Sequence, residues 1–251
     1  MSGPLFGLDL LAARNILCIQ PHYDDNDLGA GGTVARLRSM GATVTYLTVT
    51  DDLVGVRDPG LSDAEAKERL DQEQLRAGEI VGVDAQLNLG YPDAGRYDYF
   101  DLRRDLIAHM RRIRPDFVLT VDPWLPYEAH NDHIMAGRAA AEASYLQAMT
   151  RMKTFKDVDE AYEPYDVSGV AFYFSDRPNL TVDISDFHDQ KHRAFDQYAT
   201  QLGPEDLAML HAVLELKERE WAEPLGATFA ETFRLLHPIQ LHVGLEPPAG
   251  I

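Results

Sequence analysis

The sequence predicts an α/β fold: a Rossmann-like, mostly parallel sheet with helices on both faces. Short β-branched runs alternate with longer stretches of helical spacing through the first part of the chain. The helical stretches are long enough for right-handed crossovers between parallel strands. The chain has 251 residues, a length that α/β folds often fill as one domain, so residues 1–251 are read as a single unit.

Taken in order, Ile16–Gln20 reads as a buried strand that Pro21 closes. Gly29, Gly31 and Gly32 open a helical stretch that runs to Met40, and Gly41 ends it. Thr43–Thr50 is the clearest strand. Asp63–Val81 has helical spacing, with Ser62 or Asp63 as its cap and Gly82 as its stop. Gln86–Gly90 is a weaker strand. Leu102–Ile113 is helical, Phe117–Asp122 is a strand after Pro115, and an Ala-rich helix runs from Asp132 to about Ala148. Arg151–Asp166 reads as irregular. Strands at Gly169–Phe174 and Leu180–Ile184 follow, then helices near Asp186–Gln201 and Glu205–Trp221, and an extended piece near Thr232–Leu236.

Composition narrows the class. The 23 Lys+Arg against 41 Asp+Glu give a net charge of −18. That balance argues against nucleic acid and anionic membrane, which both reward clustered cations. No apolar run is long enough for a membrane span, and Leu5–Ala13 lacks the basic flank of a signal peptide. The single cysteine, Cys18, cannot form an internal disulfide, which fits a reducing compartment. The expectation is a soluble, acidic, cytoplasmic globular protein.

Ligands of an open parallel sheet gather beyond the carboxyl ends of its strands. Two polar clusters fall at such ends: Pro21-His22-Tyr23-Asp24-Asp25-Asn26-Asp27 after the first strand and His130-Asn131-Asp132-His133 after the fourth. Strands one and four are neighbours in a doubly wound sheet, so the two loops can converge. Histidines and carboxylates from two loops suit a catalytic zinc, which takes three protein ligands and leaves a position for water. Zinc lowers the pKa of a water it holds to about 7, and a neighbouring carboxylate can take the proton. His22, Asp25 and His133 form a two-histidine, one-aspartate set, with Asp24 beside them as base. Read separately, the acids could solvate a loop and Asp132 could be only a helix cap. The glycine cluster lacks full GxGxxG spacing and follows acids that would repel a pyrophosphate, so tight helix packing explains it better.

In combination, these segments resemble the LmbE-like (PIG-L) family of zinc-dependent N-deacetylases. The motifs are Pro21-His22-Tyr23-Asp24-Asp25, Gly29-Ala30-Gly31-Gly32-Thr33 and His130-Asn131-Asp132-His133. The likeness runs from Ile16 to about Gln201. Asp122-Pro-Trp-Leu-Pro-Tyr-Glu-Ala-His130 and Val49-Thr50-Asp51 look most like the archaeal diacetylchitobiose deacetylase branch. The resemblance implies His22, Asp25 and His133 as zinc ligands and Asp24 as base. It implies that His130 stabilises the oxyanion or protonates the leaving amine, with Asp132 orienting it, and that Asp93 contacts sugar hydroxyls. It further implies a homo-oligomer, trimer or hexamer, in which His242 closes a neighbour's active site. Asp93 could equally be a turn residue after Pro92, and His242 a surface histidine.

Three departures from the family pattern stand out. The register of the usual Arg-x-x-Glu pair carries Asp71 and Gln74. Arg69 and Arg57 are possible substitutes without matching it, which leaves the sugar-binding arginine unassigned. A family His-x-Ser-Gln appears as Tyr198-Ala-Thr200-Gln201, and an often-proline position is Tyr23. The expected function is removal of an acetyl group from a small N-acetylglucosamine-type substrate, chitobiose or a related glycoside. The alternatives are a deacetylase of a thiol-cofactor precursor or antibiotic glycoside, a Rossmann-like nucleotide-binding protein, and a non-catalytic sugar-binding relative.

Overall fold

A computed structural model describes residues 5–243. The strands are β1 (Asn15–Gln20), β2 (Thr43–Thr50), β3 (Ala85–Tyr91), β4 (Phe117–Val121), β5 (Gly169–Tyr173), β6 (Leu180–Asp183) and β7 (Ala230–Leu236). The helices are α1 (Asp25–Ser39), α2 (Asp63–Val81), α3 (Tyr99–Ile113), α4 (Asn131–Leu146), α5 (Lys156–Ala161), α6 (His188–Phe195), α7 (Pro204–Ala222) and α8 (Gln240–Val243). The sheet is seven-stranded, in the order β3-β2-β1-β4-β5-β7-β6. The run from β3 to β5 is parallel, and β7 lies antiparallel to both β5 and β6.

Side chains of β1 divide by period two between the sheet faces. Ile16 and Cys18 join the apolar layer under α1, α2 and α6, with Val34, Leu37, Leu70 and Phe195. Leu17 and Ile19 join the layer under α3 and α4, with Leu102, Leu106, Ala136 and Ala140. Both faces are therefore covered, as a parallel sheet requires. β3 gave the weakest strand signal because it is an edge strand whose side chains are mostly half-buried. Ser62, not Asp63, caps α2, in a reciprocal capping box with Glu65, and Gly82 ends the helix at φ +89°.

Two expectations need correcting. The segment read as irregular contains α5, which Arg111 of α3 anchors through Asp159 at 2.7 Å. The helix expected over Asp186–Gln201 stops at Phe195. The following turn instead sends Tyr198 to the Asp27 carboxylate and Gln201 to Asp52, tertiary hydrogen bonds that a continuing helix would not make.

Candidate metal centre

The β1–α1 turn is shaped by a buried amide. Gln20 donates to Thr48 Oγ1 at 2.9 Å and accepts from the Asn26 amide at 2.8 Å. Pro21 O accepts from both the amide and the hydroxyl of Thr50. These bonds fix His22, Asp24 and Asp25 at the carboxyl end of β1, where Asp24 is the N-cap of α1 and Asp25 its first residue. On the neighbouring strand, β4 feeds a loop that ends at His130, the N-cap of α4. β1 and β4 pair directly, Ile19 opposite Thr120, so both loops open at the switch point of the sheet. Gly29 permits close packing of α1: a Cβ there would lie 2.4 Å from the Tyr173 ring. The glycine thus faces a side chain of β5, as the packing reading expects.

The two loops meet through Asp25. Its Oδ2 lies 3.3 Å from His22 Nδ1 and its Oδ1 3.4 Å from His133 Nε2. His22 Nε2 is 3.2 Å from Asp93 Oδ1 and 3.7 Å from Asp132 Oδ2. The His130 ring stands edge-on to His22 at 4.6 Å and 5.3 Å from His133. Two overlapping donor sets each lie within 4.8 Å: His22, His130 and His133, and His22, Asp93, His130 and Asp132.

Electrostatics in this pocket ask for a cation. Burial alone would lower the His22 pKa, but Asp132, Asp25 and Asp93 overcome it and raise it far above the ordinary value. Asp24 is driven well above the carboxylate range by burial, with the charges of Asp25 and Asp52 adding to it. Burial would raise Asp25 too, but His133 and His22 hold it low. His133 Nδ1 is buried without a hydrogen bond, although Glu128 Oε2 lies 3.2 Å away. Borderline nitrogen donors and hard carboxylates gathered in one pocket fit a divalent first-row metal.

The other expected site residues have partners within the chain. Asp132 is completely buried and accepts from the Ala94 amide and the Tyr97 hydroxyl. Its nearer oxygen is 3.8 Å from His130 Nδ1, so it makes no orienting hydrogen bond to that ring. The loop after β3 folds over α4 and occupies the carboxylate first. Asp93 is also occupied, accepting from the Val54 amide and touching His22. The His242 ring packs on Tyr145 of α4. Arg57 is paired with Asp206, and with Arg69 it lines a groove beside α2 that also holds Arg76 and Glu73.

Sequence reasoning missed the layer behind the centre. Asp27 is buried, accepts from Tyr46 and Tyr198, and is pushed up to about 6, chiefly by burial. Asp52 supports the turn by accepting from the Tyr23 amide at 3.0 Å. Two of the family departures touch each other: the Tyr23 phenol, which also takes a bond from Lys67, donates to Asp71. The only advance signal was that both positions departed together.

Residues 17–144 match the family model described as PIG-L: GlcNAc-PI de-N-acetylase. The chain is similar to a diacetylchitobiose deacetylase of Thermococcus kodakarensis, 34% identical over 231 residues that cover 92% of this chain and 86% of that protein. It is 33% identical over 175 residues to a 1D-myo-inositol 2-acetamido-2-deoxy-alpha-D-glucopyranoside deacetylase of Rhodococcus erythropolis, covering 55% of this chain and 57% of that one. Among solved structures, it resembles an N,N'-diacetylchitobiose deacetylase from Pyrococcus horikoshii with TM-score 0.85 and 31% identity, over 92% of this chain and 87% of that one.

Proposed function

The chain belongs to the PIG-L (GlcNAc-PI de-N-acetylase) family, and we propose that it hydrolyses the acetamide of an N-acetylglucosamine-type sugar, with diacetylchitobiose or a related small glycoside as substrate. The observation that supports this reading is that Asp25, next in sequence to Asp24, lies between His22 and His133, with one carboxylate oxygen 3.3 Å from the first and the other 3.4 Å from the second. We assign His22, Asp25 and His133 to hold one zinc ion. His130 is left out of that set because its side chain is 42% exposed and Asp132 does not fix its ring, whereas metal-binding histidines are normally held by outer-shell partners.

Bound there, the metal would supply Lewis acidity toward the amide carbonyl and the attacking water. Asp24, next to Asp25 at the start of α1, takes the proton of the attacking water. His130, reaching into the open face, donates to the developing oxyanion and then to the departing amine. Asp93 holds His22 in place through its Nε2 at 3.2 Å. Cys18 takes no part: it is buried in the core and its thiol is pushed up by burial. We extend the reading to one catalytic domain working as a homo-oligomer in the cytoplasm. No helix among the described residues is long and apolar enough to cross a membrane. Acetate release from a panel of N-acetylglucosamine derivatives tests the substrate class: turnover of chitobiose above the inositol-linked sugar supports the reading, and turnover of neither defeats it.

A further inference from the structure

A second cluster of metal-binding side chains lies outside the site described above, between α6, α7 and β7. His188 and His192 stand one turn apart on α6, and Glu218 comes from α7. Their donor atoms lie within 4.8 Å of one another. Glu218 Oε2 is 3.4 Å from His188 Nε2 and 3.2 Å from His192 Nε2. Zinc bonds of about 2.0–2.1 Å at tetrahedral angles put neighbouring donor atoms about 3.3–3.4 Å apart. The Glu218 side chain is wholly buried, and those of His188 and His192 are only 13% and 15% exposed.

Hydrogen bonds engage the far side of both rings. Asp196 can only accept, so His211 Nε2–H donates to it at 2.7 Å. His211 Nδ1 in turn shares a hydrogen bond with Nδ1 of His192. On the other side Asp189 accepts from His188 Nδ1 at 3.2 Å. With Nδ1 of each ring engaged in this way, His188 and His192 both present Nε2 to one carboxylate oxygen, Oε2 of Glu218. His188 Nε2 is buried without a hydrogen-bond partner. His192 Nε2 and Glu218 Oε2 are within hydrogen-bond distance, which leaves His188 Nε2 unsatisfied; a metal ion would engage all three donors at once. Each imidazole is backed by a carboxylate, Asp189 directly and Asp196 through His211, the arrangement that orients zinc-bound histidines.

Charge points the same way. Lys191 is buried and lies 2.6 Å from Glu218 Oε1 and 2.8 Å from Glu231 Oε1, so two buried carboxylates share one ammonium. Lys191 takes the other oxygen of Glu218 and leaves Oε2 to the histidines.

We propose that His188, His192 and Glu218 form a second, structural zinc site. The site joins α6 to α7, and Glu231 extends the cluster to α1 by accepting from the amides of Gly32 and Thr33. The ion would thus brace the helix that starts with Asp25 and the turn that carries Tyr198 and Gln201.

Metal analysis of zinc-saturated, desalted protein tests this. Wild type should hold about two zinc ions per chain, and the His188→Ala/His192→Ala variant about one, with deacetylation of chitobiose retained. A His22→Ala/His133→Ala variant, disabled in the first centre, should still bind about one Co²⁺ with the absorption of a tetrahedral site, and should lose it when His192→Ala is added. Zinc should also raise the Tm of that first-centre variant. If the His188→Ala/His192→Ala variant binds as much zinc as wild type, or the first-centre variant binds no Co²⁺, the second site is refuted. The first-centre assignment is judged separately, by zinc lost from His22→Ala/His133→Ala alone.

Discussion

Oδ1 of Asp25 lies 3.4 Å from Nε2 of His133, a contact that ties the start of α1 to the start of α4. It joins the two motif-bearing loops, and His133→Ala breaks it at the histidine. The variant should keep the fold, since the ring is at the rim of the centre, but lose the first-site zinc. Equilibrium dialysis against zinc checks this; undiminished affinity would overturn the ligand assignment.

Asp24→Asn separates binding from chemistry. The amide keeps the size of the side chain but cannot take a proton. Metal content should stay, while kcat should fall by roughly 10²–10⁴, the range for losing a general base. His130→Ala should also spare the metal and slow turnover. Near wild-type kcat in either variant would remove that residue from its role.

Arg111 is a stability test remote from the centre. Its guanidinium is buried, bonds the carbonyls of Gln147, Met149 and Met152, and pairs with Asp159. Arg111→Leu should cost about 3–5 kcal/mol in denaturant unfolding, since it leaves these partners unpaired.

Asp159 gives that pairing a pH signature. Burial would raise its pKa, but bonds from Thr154 and the charge of Arg111 hold it below the ordinary 3.8. Its folded pKa is depressed, so its stabilisation is complete above about 3.8 and fades as pH falls through the lower folded value. Asp159→Asn should therefore destabilise more at neutral pH than under strongly acid conditions. Equal loss at both would contradict the pairing.

His242 is exposed, and so are Trp124 and Tyr127 on the loop leading to His130. We expect these to face another copy of the chain. Mixing His242→Ala chains with Asp24→Asn chains should then restore activity in hybrid oligomers. No recovery in oligomers shown to be mixed would mean that each chain works with its own residues.

The fold was legible because a parallel sheet buried on both faces writes itself as β-branched runs, as in Thr43–Thr50. Convergence of the two clusters followed from β1 and β4 being neighbours. What could not be read were interactions closed by distant residues. Tyr198 ends up on Asp27 because α6 stops early, and no local signal marks that stop. Asp132 reads from the sequence as a cap or a partner for His130; its bonds to Ala94 and Tyr97 of the β3–α3 loop could not be read there. The spacing of His188 and His192, one helical turn apart, was visible in the sequence; Glu218, on another helix, was not.

The most direct test of the central claim is acetate release from diacetylchitobiose by protein stripped of metal with a chelator and then titrated with zinc. The assignment of His22, Asp25 and His133 predicts no release from stripped wild type and recovery as zinc is restored. It also predicts no recovery for His133→Ala at zinc levels that saturate the wild type. Undiminished acetate release from protein verified to be free of metal would contradict it.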